Sequence, residues 1–227
     1  MSLLHLERDL RWVADDRGRL LRARTDDAPR PAPLLAVGTG GGAVAWAVAA
    51  SVADDVAASV DEALAAEPPV DDAGPIGWAP SVADRLQALL DGTVHHGPTY
   101  LARDTPPIPA GLDLRTSADT DLADLAPLLP PADRILTPPW VAVVVDGEVA
   151  AVCESARARP DAVHAGLWTY PDHRRQGLAT AVTAAWIRLA GERTVLYGTT
   201  AENHASQGVA RRLGLRPLAQ WWWLERA

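Results

Sequence analysis

The sequence predicts an α/β chain of the α+β kind, with a mixed, largely antiparallel sheet flanked by helices. Three observations lead there. "WVAVVVDGEVAAVCESA" (140–156) is two apolar strands joined by Asp146-Gly147, a pair suited to a tight hairpin turn. "GLATAVTAAWIRLAGE" (177–192) puts Leu178, Val182, Ala185 and Leu189 on one helical face. From residue 112 onward, strand-like and helix-like segments follow as β-α-β-β-β-α-β-α-β, the pattern of helices packed on a sheet.

Residues 2–14 form the first element, a short amphipathic helix with Leu3, Leu6, Leu10 and Val13 at helical spacing. "DDAPRPAP" (26–33) is a proline-rich break. "LLAVGTGGGAVAWAVAAS" (34–51) reads as two strands around a glycine turn. Helices follow at 53–67 and at 80–92, the second with Ser81 as its cap and Gly92 as its stop. "GPTYLAR" (97–103) is a short strand. "DTPPIPAG" (104–111) has three prolines and a glycine in eight residues and is the best linker, which divides the chain into 1–105 and 106–227.

Past the linker, "LDLRTS" is a strand, and "ADTDLADLAPLL" a helix with acidic residues in its first turn, where the dipole favours them. The hairpin comes next, then the strand "AVHAGLWTY" ended by Pro171. After the helix at 177–192, "RTVLYGTT" is a strand, "ENHASQGVARRLGL" a helix closed by Gly214, and "AQWWWLE" a closing strand.

Composition narrows the function. The 227 residues, 48% hydrophobic, suffice for a real core. All 21 basic residues are arginine against 29 acidic ones, and a net charge of −8 argues against nonspecific nucleic-acid binding. The single cysteine, Cys153, excludes an internal disulfide and a thiolate zinc cluster, so a reducing cytoplasm is the simplest setting. No apolar run has the length of a membrane span, and the early charges of "MSLLHLERDLRW" do not resemble a signal peptide. A soluble, cytoplasmic protein without membrane or nucleic-acid partners, a monomer or homodimer, is expected.

Against that acidic background, "PDHRRQGLATA" (171–181) sets three basic residues before a helix start. A helix N-terminus offers unpaired N–H groups and the positive end of a dipole, which suits a phosphate. Gly177 and Ala179 let an anion approach the backbone, and Arg174 and Arg175 add charge. The dipole contributes only about 0.3–1 kcal/mol when exposed, so several aligned N–H donors must carry the site. A second helix, starting near Asn203 straight after the next strand, brings polar groups toward the same region.

These residues resemble the GNAT superfamily of acyl-CoA-dependent N-acyltransferases. "LDLRTSADTDLADL" looks like that family's opening strand and helix, "TYPDHRRQGLA" like its pyrophosphate motif, and "ENHASQGVARRLGL" like its second cofactor helix. The resemblance covers about 111–216. An extra N-terminal half is also similar in arrangement to the glycine N-acyltransferase-like branch, and residues 1–105 are expected to be an α/β domain that walls part of the acceptor site of the acyltransferase domain at 106–227.

The resemblance implies acetyl-CoA, or another acyl-CoA, as cosubstrate and no metal. Backbone groups of Arg174, Arg175, Gln176, Gly177, Leu178, Ala179 and Thr180 would hold the pyrophosphate. Leu167, Trp168 and Thr169 would pair their main chain with the pantetheine arm, splayed from the neighbouring strand. Asn203 and Ser206 would touch the cofactor near the thioester. The implied reaction is direct acyl transfer to an amine of a small molecule or peptide; the alternative is a catalytically silent CoA-binding or regulatory module.

Amine acylation needs a neutral nucleophile, yet an alkylamine of pKa about 10.4 is protonated at neutral pH. A base helps by roughly 10²–10⁴-fold. His164 stands where family members often carry a Glu, and histidine has a suitable pKa. Glu154 on the preceding strand is the other candidate. Where the family has a tyrosine acid, this chain has Ala210, which leaves Ser206, Tyr197 or water to protonate the leaving thiolate.

Other motifs read as structural. "GTGGG" (38–42) lacks the Lys-Ser/Thr partner of a phosphate loop and suits a hairpin turn. His95-His96 reads as an exposed loop, Cys153 as inert core, and Trp221, Trp222 and Trp223 as alternating between core and acceptor cleft.

Overall fold

The computed structural model describes residues 2–24, 30–129 and 136–226, so part of the proline-rich break at 26–33 lies outside it. The chain divides into two compact units. One holds residues up to Tyr100, Gly198–His204 and the chain from Pro217; the other holds Leu101–Tyr197 and Ala205–Arg216. The division drawn from sequence at 105/106 leaves the last strand with the second part, whereas here it groups with the first.

The first unit opens with α1 (Leu3–Arg11), capped by Ser2, whose hydroxyl accepts from the His5 N–H. A two-stranded sheet of β1 (Trp12–Ala14) and β2 (Leu20–Ala23) follows. The glycine hairpin forms as expected from β3 (Leu35–Gly40) and β4 (Ala43–Val48), paired antiparallel. The helices α2 (Asp54–Leu64) and α3 (Ala83–Leu90) come next. Ser81 does not cap α3: its hydroxyl donates to Glu67 instead, at 2.7 Å. Nor does Gly92 stop the helix. Asp91 ends it in the left-handed region (φ 44°), and Gly92 begins β5 (Gly92–Ala102), an eleven-residue strand far longer than the sequence suggested.

In this unit the last strand, β11 (Arg216–Arg226), pairs antiparallel with β3 and neighbours β5. Strand alternation sends successive tryptophans to opposite faces. Trp222 packs with Leu35, Val60 and Leu86, while Trp221 packs with Trp12 at 5.5 Å on the other side. Both fill cores.

The second unit carries β6 (Asp113–Thr116), β7 (Trp140–Val145), β8 (Glu148–Ala158), β9 (Ala162–Thr169) and β10 (Thr194–Gly198) side by side. Pairing is antiparallel from β6 to β9 and parallel between β9 and β10, so the sheet is mixed and largely antiparallel. The β7–β8 turn holds Asp146 at φ 52° and Gly147 at φ 82°, the positive pair that a type I′ turn demands. The expected helix after β6 shrinks to α4 (Leu122–Leu125) and a 3-10 turn (Ala126–Leu128). Leu125 anchors it, fully buried against Leu136, Trp140 and Val152.

Helix α5 (Leu178–Ala190) is the β9–β10 crossover. The sequence pattern marks one apolar face. In the structure Ala181–Ile187 are all buried, so the helix is covered nearly all round. Trp186, fully buried, donates its indole N–H to the Pro139 carbonyl at 2.9 Å and to the Ser155 hydroxyl at 3.3 Å, leaving no orphaned donor. Helix α6 (His204–Arg212) ends as predicted at Gly214 (φ 66°). The Leu215 N–H returns to the Ala210 carbonyl, and Gly214 to Arg211, a Schellman closure.

Candidate active site

The site grows from how β9 is bonded. The Tyr170 N–H donates to the Ala150 carbonyl at 3.0 Å, which marks 150 and 170 as a hydrogen-bonded antiparallel pair. Alternation along this register makes Val152–Trp168 and Glu154–Gly166 bonded pairs too. Leu167 and Thr169 therefore turn their N–H and C=O groups away from β8, toward the β10 side. There β10 pairs with β9 only from Thr194–Ala162 to Leu196–His164, although β9 runs on to Thr169 and β10 to Gly198. The two strands fork.

The wide end of the fork leads to the N-terminus of α5. Gly177 is its cap residue, at φ 81° and ψ −3°, and no side chain caps the helix. A Cβ built on Gly177 would meet nothing within 4 Å, so an open cradle lies before the first turn. Arg175, two residues earlier, also has positive φ, 63°, uncommon for a residue with a side chain. Alternating positive and negative φ turns successive N–H groups inward to form an anion nest. Arg174 is exposed and ties the loop back by donating Nε to the Thr169 carbonyl at 3.2 Å, and the Gln176 side chain holds the Asp172 carbonyl. Leu178 buries its side chain in the core, whereas Ala179 and Thr180 are half-buried. The residues that such a nest needs are present, and it fits a pyrophosphate.

The narrow end holds the titratable candidates. His164 is buried in the last paired position, its Nδ1 3.2 Å from the Ala165 carbonyl. Glu154 is also buried and sits across from Gly166, just past the point where pairing with β10 ends. It is not the outward residue that strand alternation permits. Its Oε2 accepts the Thr137 N–H at 2.9 Å. Gly166 has a steric reason to be glycine: a Cβ there would lie 2.8 Å from the Ala156 Cβ and 3.4 Å from Glu154 Oε1. The sequence carries no sign of this contact, since the partners are ten and twelve positions apart on another strand.

Tyr197 follows directly after the last paired residue of β10. It is buried, and its phenol oxygen lies 2.6 Å from Ser206 Oγ. Ala210, where the sequence comparison led us to look for a tyrosine, is fully buried. Asn203, exposed, belongs to the first unit. Trp168 turns its main chain to β8 and its indole toward the Leu125 cluster.

The remaining motifs resolve structurally. In the glycine turn at 38–42, the Gly41 and Gly42 N–H groups are taken by the carbonyls of Asp72 and Val70, so this loop cannot cradle a phosphate. His95 and His96 are not on a loop. They lie half-buried on β5, with Nε2 atoms 3.6 Å from Glu225 and 3.7 Å from Glu202. Among the described residues no His, Cys, Asp and Glu group could hold a metal ion. Burial pushes the Cys153 thiol far above its usual range, and it is inert core.

Residues 141–222 match the GNAT acetyltransferase family. The match spans most of the β7–β8 hairpin, β9, α5, β10, α6 and the first part of β11. No curated protein matches. Solved structures include a GCN5-related N-acetyltransferase from Kribbella flavida, 19% identical over 65% of this chain and 65% of that one, with a TM-score of 0.48. A GCN5-related N-acetyltransferase-like protein from Streptococcus suis is 15% identical, covering 85% of this chain and 84% of that one, with a TM-score of 0.48. An acetyltransferase of the GNAT family from Colwellia psychrerythraea is 16% identical over 65% of this chain, with a TM-score of 0.47. The chain spans just under two thirds of the Kribbella flavida and Colwellia psychrerythraea proteins, 65% and 63%. No helix among the described residues is long and apolar enough to cross a membrane.

Proposed function

We propose that the protein transfers an acetyl or similar acyl group from acyl-CoA directly to an amine of a small molecule or peptide. One observation carries the reading: the uncapped start of α5, with two positive-φ residues at and before it, stands at the mouth of a strand fork where Leu167 and Thr169 turn their main chain away from β8. The pyrophosphate would sit on the N–H groups from Arg174 to Thr180. The pantetheine amides would pair with Leu167 and Thr169, and the thioester would reach the narrow end.

There the amine has to lose a proton as its nitrogen attacks the thioester carbonyl. Glu154 is the group we assign, directly or through a water, because it lies opposite Gly166 in the forked part of β9. His164 lies one step inside the paired part. The two are separable by substitution, each variant being assayed for kcat and for CoA affinity. Glu154→Gln is expected to lower kcat by roughly 10²-fold without weakening CoA binding. A comparable loss in His164→Gln, with Glu154→Gln close to the parent rate, would overturn the assignment.

The second reading is a CoA-binding module without turnover, favoured by alanine at position 210. Calorimetric titration with acetyl-CoA, followed by thiol release against a panel of amines, decides between them. Binding with no release on any amine selects the module, and no binding rejects both. We also propose the glycine N-acyltransferase-like branch, on the strength of the additional N-terminal portion alone.

A further inference from the structure

We infer that Arg11 anchors a small carboxylate ligand, a monoanion bearing an apolar group, at a site that lies wholly in the first unit. The observation is a guanidinium engaged along one edge only. Arg11 Nε donates to Glu7 Oε1 at 2.9 Å and Nη2 to the Thr99 hydroxyl at 3.2 Å, while Thr99 donates to the same Glu7 oxygen. Nη1 makes no hydrogen bond among the described residues. It is not closed off from solvent either, since the side chain keeps 12% of its surface exposed.

The surroundings hold that outer edge still. Helix α1 sets Glu7 and Arg11 four residues apart, on one face, and Thr99 reaches them from β5. The guanidinium carbon lies 5.9 Å from the Trp12 ring, 5.8 Å from Trp221 and 6.0 Å from Trp223, within cation–π range of all three. Those rings are themselves fixed. Trp221 meets Trp12 edge-on at 5.5 Å and covers Gly38, where a Cβ would come within 2.9 Å of the indole. Trp223 stacks on His95 at 5.6 Å.

An ion pair with a structural role alone engages its polar atoms, because burying them unpaired is costly. This cluster leaves several unengaged. Besides Nη1, Trp221 Nε1 and Glu7 Oε2 are buried with no hydrogen-bond partner among the described residues. The Nη1–Nη2 edge of a guanidinium presents two N–H groups that match the two oxygens of a carboxylate. Glu7 offsets the charge of Arg11, so the site suits a monoanion and disfavours a phosphate dianion. Glu7 is wholly buried, so a ligand meets the guanidinium and not the carboxylate on its inner edge. Trp223, half-buried beside Arg11, gives the ligand's apolar group a surface to rest on.

The test titrates the full chain, without CoA, with hexanoate, acetate and inorganic phosphate, read by tryptophan fluorescence and ligand-observed NMR. Hexanoate is expected to bind with a Kd on the order of 1 mM, acetate more weakly, and phosphate not at all. Arg11→Lys keeps a charge for Glu7 but loses the two-pronged edge, and should weaken hexanoate roughly tenfold or more. The double variant Glu7→Gln with Arg11→Gln removes both charges at similar volume, and should abolish binding; thermal melts show that each variant folds. A parent that binds no hexanoate at tens of millimolar overturns the inference. So does affinity unchanged in either folded variant, or phosphate binding as tightly as hexanoate. Because CoA takes no part, the acyltransferase reading stands or falls separately.

Discussion

Gly177 offers the sharpest test of the phosphate nest. Its φ of 81° lies in the left-handed region, and a Cβ added there meets nothing within 4 Å. Two costs therefore separate. Gly177→Ala pays only backbone strain, about 1–2 kcal/mol for an L-residue in that region. For a chain of this size that lowers Tm by roughly 2–8 °C. Gly177→Glu pays the same strain and adds a carboxylate beside the bound pyrophosphate. Two unit charges 4 Å apart repel by about 4 kcal/mol at an effective dielectric of 20, and about 1 kcal/mol in bulk water. Affinity for CoA should then drop by roughly 5-fold to 10³-fold in Gly177→Glu, and by less in Gly177→Ala, which adds no charge. Calorimetric titration with CoA beside thermal melts of all three proteins reads both quantities. If Gly177→Glu binds CoA as tightly as the parent while melting where Gly177→Ala does, the nest has been misassigned.

Three further outcomes follow from the same structure. Gly166→Ala forces a Cβ to within 2.8 Å of Ala156 and against Glu154, so urea unfolding should show about 1–3 kcal/mol of lost stability. Cys153 is fully buried with its thiol pKa driven up, so iodoacetamide at mildly alkaline pH should label it only after denaturation; rapid native labelling would contradict the burial. Asp119 accepts from the Thr116 N–H and hydroxyl and from the Thr120 hydroxyl, and the backbone bond first, then the Thr120 bond, hold its carboxyl below the usual range. A depressed folded pKa stabilises above the unfolded value and loses that contribution as pH falls through the folded one. Asp119→Asn should therefore lower stability only modestly at neutral pH, since solvent screens an exposed carboxylate, and the gap should close in acid, as unfolding curves at both conditions would record.

What sequence alone determined is what neighbouring residues settle between themselves. Asp146-Gly147 makes its turn because both residues tolerate positive φ, and Gly214 closes α6 for the same reason. Gly177 announces a helix start with no side-chain cap, which leaves N–H groups of the first turn uncovered. The apolar period of 178–190 set α5, and the alternation of 140–156 set the hairpin. Each is short in range, so each was legible.

Tertiary structure decided everything that depends on register between distant segments. The resemblance implied that β9 splays from its neighbour, but the point where β9–β10 pairing stops, at Leu196–His164, is set by the fold. Glu154 became a buried neighbour of Gly166, and Ser206 a partner of Tyr197, through pairings that skip many residues. Ser81 left its capping position for Glu67, and His95 and His96 joined a strand whose long extent is set by its neighbours rather than by its own propensity. The chain spells out where a helix begins without a side-chain cap. Only the folded register sets Glu154 opposite Gly166 and the Tyr197 phenol on Ser206, because tertiary pairing couples positions that local propensity treats as independent.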